Sequence, residues 1–276
     1  YALKNHDRHL QMADYCFDVF TGDWIRALCS GASLFLYAKE QLLHPENLFA
    51  FINTHNITMA EFVPAVIKKL TQYCHNNQKN LKTFRVLVCG SDTWTISDCQ
   101  KTIAICPLSA KVYNSYGLTE TAIDSTYFDC RQLSKHKHLR STDIVPIGKA
   151  LPHAKVMLLN DALKPVKYGE MGELFIGGKG TSPIGYLENK SLSEQRFLTL
   201  EHYGKKIRAY RTGDQALLLP NGDIQFCGRN DLQTNIHGKR VDCLTTEAII
   251  NRYPGIEQCI VVSHTKNGRN TLHAFL

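Results

Sequence analysis

Apolar runs and helix-like spacings alternate through the first 145 residues. Pro45 opens a segment in which Leu48, Phe49, Phe51 and Ile52 recur as a buried helix face would. Pro64 suits the first position of a second helix, running through Ile67, Leu70 and Tyr73. Residues 84–89 are apolar and end at Gly90, which predicts a buried strand; Thr95 or Ser97 can cap a helix reaching about Ile105. Residues 111–114 predict a short strand. Strand, helix and strand at this spacing argue for a parallel α/β sheet. From 146 to 230 the pattern turns mostly β. Residues 155–159 and 173–176 read as strands, and 216–219 and 223–227 flank Pro220-Asn221-Gly222, a hairpin signal. After Asp231 come an extended piece around His237-Gly238, a helix near 244–252 and two strands around Asn267-Gly268. The expected organisation is an α/β part over 1–145, a β-rich, barrel-like part over 146–230 and the start of a further, incomplete lobe over 231–276.

Composition narrows the class. Hydrophobic residues make up 43% of 276, which excludes general disorder and leaves enough chain for a real core. The net charge of +7 is spread along the chain. Its densest cluster, Lys135, His136, Lys137, His138 and Arg140, reads as a solvated loop rather than a nucleic-acid or metal patch. Ten cysteines include no Cys-x-x-Cys pair, and several sit in apolar runs, which fits a reduced, cytoplasmic protein. The longest nearly uncharged apolar stretch, 27–38, is too short to span a bilayer, so no membrane role is expected. No signal-peptide pattern is visible, and a chain opening on Tyr1 reads as an excised piece.

Four polar, glycine-bearing segments adjoin apolar strands: Asn-Ser-Tyr-Gly-Leu-Thr-Glu at 114–120, Gly-Glu-Leu-Phe-Ile-Gly-Gly-Lys-Gly at 172–180, Tyr-Arg-Thr-Gly-Asp at 210–214, and Gly-Arg-Asn-Asp at 228–231. Singly, each reads as a turn. In this order and spacing they resemble the core motifs of adenylate-forming enzymes, most closely the adenylation domains of nonribosomal peptide synthetases, over nearly the whole chain. The resemblance implies ATP-dependent activation of a carboxylic acid with Mg²⁺, by positioning and charge stabilisation rather than by a protein nucleophile. It then implies transfer of the acyl group to phosphopantetheine on a peptidyl carrier protein among neighbouring synthetase modules.

Residue roles follow from the same resemblance. Tyr116 would lie against adenine and Asn114 near its amino edge, with Gly90 and Phe226 completing the nucleotide site. Thr119 would donate to the α-phosphate, Glu120 would hold Mg²⁺, Asp214 would accept the ribose hydroxyls and Arg229 would reach ribose or phosphate. Asp231 would be the hinge of a moving small lobe. In the amino-acid pocket, Asp18 would pair with the α-ammonium. Val19, Gly22, Glu61, Leu87, Cys89, Ser115, Ile123 and Asp124 would line the rest. Glu61 and Asp124 add two carboxylates beyond Asp18, and buried anions need a cation. The expected substrate is therefore basic: ornithine, or 2,4-diaminobutyrate or lysine. Gly22 is expected to leave room for its chain, and Cys89 to shorten it slightly. Glu61 has a plainer reading as a carboxylate at the start of a helix.

Some positions depart from the family pattern. The phosphate loop and the late lysine motif are absent, Leu118 replaces a proline, Ile184 an arginine, and His237 stands where arginine is common. An acyl- or aryl-CoA ligase of the same superfamily, or a non-catalytic remnant keeping the fold, are the competing readings.

Overall fold

The computed structural model describes residues 1–276 except 137–138, 231–232, 237–238, 257 and 267–268. Asp231, His237, Gly238, Lys137, His138, Asn267 and Gly268 therefore lie outside the described residues. A seven-stranded sheet organises the first half. It contains β1 (Arg8–Gln11), β2 (Ser33–Leu36), β3 (Met59–Phe62), β4 (Val86–Cys89), β5 (Lys111–Leu118), β6 (Ile123–Asp129) and β7 (Lys149–Ala150), in the order β2-β1-β3-β4-β5-β6-β7. The first five run parallel, and β6 and β7 close the edge antiparallel. The crossovers carry α1 (Asp18–Cys29), α2 (Pro45–Thr54), α3 (Pro64–Asn76) and α4 (Ile96–Ile105). Pro45 and Pro64 occupy first-turn positions, where the missing N–H costs nothing. Of the two candidate caps for α4, Thr95 is used, its side chain accepting from the Asp98 amide.

The two faces of this sheet differ. One carries Leu10, Ala60, Phe62, Leu87, Cys89 and Val112 into the main core, against Ile52, Ile67, Leu70 and Cys99 of the helices. The other carries Met59, Val86 and Val88, packed on Tyr1 and Tyr113. Glu61 pairs with Val88 and so shares that second face.

The strand expected at 111–114 continues to Leu118 and pairs with β6, which the sequence pattern did not reveal. The Asn-Ser-Tyr-Gly composition reads as a turn, but β6 supplies its partner, and Gly117 is needed there. A Cβ on Gly117 would fall 1.5 Å from the Ile123 carbonyl oxygen. The connection turns tightly through Ala122 and Ile123, both at positive φ.

A second, antiparallel sheet follows: β8 (Ala154–Leu159), β9 (Met171–Gly178), β10 (Phe197–His202), β11 (Lys205–Leu218) and β12 (Ile224–Arg229), with α5 (Lys190–Arg196) leading into β10. The Tyr-Arg-Thr-Gly-Asp segment lies within the long β11, not in a loop. Gly222 turns β11 back into β12 at positive φ, as the Pro-Asn-Gly signal predicts. Backbone bonds between Ile147 or Gly148 and Ile224 join the two sheets. The tail forms two hairpins, β13 (Gln233–Ile236) with β14 (Lys239–Asp242) and β15 (Ile260–Lys266) with β16 (Arg269–Phe275), and α6 (Cys243–Ile250) between them.

Candidate active site

A cavity of about 1050 Å³ opens at the carboxyl ends of β3, β4 and β5 and reaches across to β11 and β12. Ligands of open α/β sheets sit at such strand ends. Its walls include Asp18, Val19, Glu61, 114–120, Ile123, Asp124, Asp214, Phe226 and Arg229. Residues 234, 235, 263 and 270 of the tail also border it, and Asn235 Nδ2 donates to the Ser91 carbonyl at 3.2 Å.

At one end stands a network of hydrogen bonds. Asp214, almost fully buried, accepts from the Tyr116 hydroxyl through Oδ2 and from Arg229 Nη1 through Oδ1. Arg229 Nη2 also donates to the Thr212 carbonyl at 2.8 Å. Thr212 in turn fixes Asp214: its Oγ1 accepts from the Asp214 amide at 2.9 Å while donating to the Leu174 carbonyl at 2.8 Å. Burial, then the charge of Asp214, push the Tyr116 hydroxyl well above its usual pKa, so it remains a donor. A carboxylate has two oxygens with about four acceptor positions, so the chemistry of Asp214 suits hydroxyl donors such as that of Tyr116. The rings of Tyr116 and Phe226 face the same space, 6.4 Å apart. Asn114 is buried, and its Nδ2 donates to the Val145 and Pro146 carbonyls at 3.3 and 3.0 Å. Its Oδ1 has no hydrogen-bond partner among the described residues, an acceptor waiting for a donor.

Glu120 stands beside exposed Thr119 on the turn after β5. Its Oε1 accepts from the hydroxyls of Tyr186 at 2.6 Å and Tyr210 at 3.0 Å. Sequence reasoning did not assign these tyrosines a role, although Tyr210 opens the Tyr-Arg-Thr-Gly-Asp segment. Among the described residues no group of three His, Cys, Asp or Glu side chains could hold a metal. A single carboxylate still fits Mg²⁺, which usually takes one or two protein carboxylates and completes its shell with phosphate oxygens and water. The arginine missing at Ile184 has a neighbour in Arg208, whose Nε donates to the Ser182 carbonyl at 3.0 Å in the same loop; Ile184 itself is exposed.

The other end is acidic, and four residues expected to line the cavity do not: three of this pocket, Leu87, Cys89 and Gly22, and Gly90 of the nucleotide site. Leu87 and Cys89 do not line the cavity; they are fully buried in the helix-side core. Alternation along β4 gives them the face opposite Glu61, which Val88 shares instead. Gly22 leaves no open space: a Cβ there would meet Ile123 Cδ1 at 2.7 Å and Arg26 Nη2 at 3.1 Å. Gly90 serves packing rather than the cavity wall, letting Ser115 Oγ come within 2.5 Å of where its Cβ would be. Asp18, Val19, Glu61, Ser115, Ile123 and Asp124 do border the cavity.

Arg26, unmarked in the sequence reading, holds this end together. Its Nη2 lies 2.7 Å from Glu61 Oε2 and 3.0 Å from Asp23 Oδ1, and its Nη1 lies 3.5 Å from Asp124 Oδ2. His9 Nε2 is 3.0 Å from the same Asp23 oxygen, and the Tyr1 hydroxyl donates to Asp124 Oδ2 at 3.1 Å. The chain thus supplies a cation of its own. One guanidinium among three carboxylates is not enough, however. Burial, then the charge of Asp124, raise Glu61 to about 8 despite Arg26, and burial raises Asp124 as well. The signal for Arg26 was helical spacing: four residues after Gly22 and three after Asp23 puts it on their face of α1.

Comparison with known proteins gives this geometry a family. The profile described as "AMP-binding enzyme" matches residues 1–187. Gramicidin S synthase 2 of Brevibacillus brevis is 35% identical over 257 residues, 93% of this chain but 6% of that protein. The chain thus spans a small part of the curated relatives it matches. The Vibrio cholerae adenylation domain AlmE, solved with glycyl-adenosine-5'-phosphate, superposes with a TM-score of 0.83 at 26% identity, over 100% of this chain and 51% of AlmE. An artificially fused adenylation-carrier di-domain from Klebsiella oxytoca, NpsA-ThdA, shares the fold with a TM-score of 0.82 at 24% identity, over 99% of this chain and 48% of that one.

Proposed function

The chain belongs to the AMP-binding enzyme family, and on that premise we propose that it is part of an adenylation domain. That domain would activate an amino acid with ATP and load it onto a peptidyl carrier protein. The observation that carries this reading is the single cavity bordered by Asn114, Tyr116, Asp214 and Arg229 at one end and Asp18 at the other. In the reaction, an oxygen of the amino-acid carboxylate attacks the α-phosphorus of ATP. The bond from that phosphorus to the bridging oxygen of pyrophosphate breaks, leaving the aminoacyl adenylate. A thiol then takes the acyl group and AMP departs.

Each residue has work in this scheme. The unpaired Asn114 Oδ1 suits the amino group of adenine, and Tyr116 and Phe226 suit the faces of its ring. Asp214 takes the ribose hydroxyls, and Arg229 offsets its charge. Thr119 is exposed, and its hydroxyl would donate a hydrogen bond to an α-phosphate oxygen. Glu120 would hold Mg²⁺ against the phosphates, where the ion, when bound, neutralises charge on the leaving pyrophosphate. Asp231 is proposed as the hinge to the small lobe. Asp18, in the first turn of α1, takes the α-ammonium.

The side chain of the substrate is read as cationic. Three carboxylates share one guanidinium, so a substrate ammonium would meet unbalanced negative charge. An acyl- or aryl-CoA ligase would have no ammonium to offer Asp18, Glu61 or Asp124. Amino-acid-dependent exchange of labelled pyrophosphate into ATP, measured on the complete domain, tests the reading. Exchange driven by a diamino acid supports it; exchange driven only by fatty or aryl acids overturns it.

A further inference from the structure

Resting on the adenylation reading, we propose that Arg26 is a specificity-determining residue, a resident cation that forms the floor of the side-chain pocket and limits the substrate to a short diamino acid. The argument starts from space. The hollow that Gly22 would leave is already filled by Ile123 Cδ1 and Arg26 Nη2, at 2.7 and 3.1 Å from a Cβ built there. A substrate chain therefore cannot extend past Gly22.

Charge then fixes what can stop at that depth. Arg26 engages Oε2 of Glu61 and Oδ2 of Asp124, and the Tyr1 hydroxyl shares the latter. Glu61 and Asp124 both border the cavity. An ammonium on a two-carbon side chain, as in 2,4-diaminobutyrate, would meet Glu61 and Asp124 above the guanidinium. Lysine, two methylenes longer, would drive its ammonium into Arg26, like charge against like. Asp23 holds Arg26 from beneath at 3.0 Å, with His9 behind it, so the guanidinium is anchored rather than free to swing away. Burial works against the charge on Arg26, but Glu61, Asp23 and Asp124 outweigh it and keep the guanidinium protonated.

The test uses the complete adenylation domain as wild type, Arg26→Ala and Arg26→Lys. Pyrophosphate exchange is measured with 2,4-diaminobutyrate, ornithine and lysine. The wild type is expected to favour diaminobutyrate over lysine in kcat/KM by about 10-fold or more, within the range one or two methylenes earn in a pocket. Arg26→Ala opens the floor and is expected to move that ratio toward lysine by about 10-fold, with the KM for ATP unchanged. Arg26→Lys keeps the charge and the wild-type order. A folded Arg26→Ala enzyme with the wild-type order overturns the proposal, as does a wild type that prefers lysine. A second measurement does not need turnover. Thermal unfolding of Arg26→Ala should be shifted upward by lysine or by millimolar guanidinium ion, each filling the vacated site, while the wild type is not. Absence of that shift also counts against Arg26 as the floor. A wild type with no amino-acid-driven exchange would remove the adenylation reading instead, and the thermal shifts would still decide the role of Arg26.

Discussion

The two ends of the cavity are both built from buried carboxylates, yet they are balanced in different ways. At the proposed nucleotide end Asp214 pairs with Arg229 and accepts from the Tyr116 hydroxyl, so one carboxylate is set against one guanidinium. At the acidic end Asp23, Glu61 and Asp124 share Arg26, and the count does not close. The first arrangement is ready for neutral partners such as ribose hydroxyls. The second stores a demand for positive charge, which shows as a proton held on Glu61 well above the usual carboxylate range. On the proposed reading, a closed ion pair and an open one in the same cavity would separate two tasks: holding a constant cosubstrate and selecting a variable one.

Breaking the closed pair should have the largest effect. Asp214→Ala leaves the part-buried Arg229 without this carboxylate, which costs on the order of 3 kcal/mol of stability. It also removes the proposed ribose acceptor, so exchange should fall by about 100-fold or more, a loss of about 2.7 kcal/mol in the transition state. Urea unfolding and exchange kinetics read the two effects separately. Tyr116→Phe, which removes one neutral donor, should cost only about 1 kcal/mol. Equal losses for the two variants would mean that the pair is not the organising contact.

At the open end the corresponding change should improve stability and harm selection. The unfolded chain loses the Glu61 proton near 4.5, whereas the folded protein holds it to about 8. The contribution of Glu61 is therefore complete below the lower value and is lost as pH rises through the upper one. Urea midpoints should decline between about pH 5 and about pH 8 and level off above it, and Glu61→Gln should flatten that decline. The same variant, or Asp124→Asn, should lower discrimination in favour of a diamino acid by about 10-fold while leaving the KM for ATP nearly unchanged. A pH slope that survives Glu61→Gln would assign the stored proton to another group, with Asp124, Asp23, His9 and Tyr1 the neighbours to examine.

The same contrast governs what the sequence could reveal. The end proposed for the nucleotide is written in contiguous motifs, and Asn114, Tyr116, Thr119, Glu120, Asp214 and Arg229 all border the cavity. Helices α2, α3 and α4 were equally legible, since Pro45, Pro64 and Thr95 mark their starts in local chemistry, as were β4 and the start of β5; β1, β2, β3 and α1 were not read from the pattern. Strand β6 was not, because its only cue lies in its pairing with a segment that looks like a turn. In the acidic pocket, the resemblance located Glu61 and Asp124 but gave Leu87 and Cys89 a role that strand alternation denies them. Arg26 escaped because a charge argument that counted only marked positions had no place for a partner one helical turn away. Tyr186 escaped for a similar reason, since its hydroxyl matters only across the fold.

Asn114 sharpens the nucleotide end further. Asn114→Ala removes the unpaired Oδ1, an acceptor suited to an amino group. The KM for ATP should rise by about 5-fold to 10-fold, the value of one neutral hydrogen bond, while that for GTP, which offers a carbonyl at the same edge, should change less. Parallel rises for both nucleotides would show that Asn114 acts only through its bonds to the Val145 and Pro146 carbonyls.

The smallest expected effect belongs to Tyr186. Its hydroxyl and that of Tyr210 both donate to Glu120 Oε1, which fixes the carboxylate where Mg²⁺ would sit. Burial, then the bond to Glu120, hold the Tyr186 hydroxyl well above its usual pKa, so it stays protonated through the working range. Tyr186→Phe keeps the ring against Phe197 and deletes only the bond. With the Tyr210 hydroxyl still donating to Oε1, Glu120 loses one restraint rather than its position. The Mg²⁺ concentration for half-maximal exchange should rise by about 2-fold to 5-fold, with amino-acid preference unchanged, because one hydrogen bond is worth about 1 kcal/mol or less. A change in amino-acid preference would instead tie this tyrosine to the acidic end, and the separation of the two ends would fail. If the half-maximal concentration did not move at all, Tyr210 alone would suffice to hold Glu120, and Tyr210→Phe should then give the full effect.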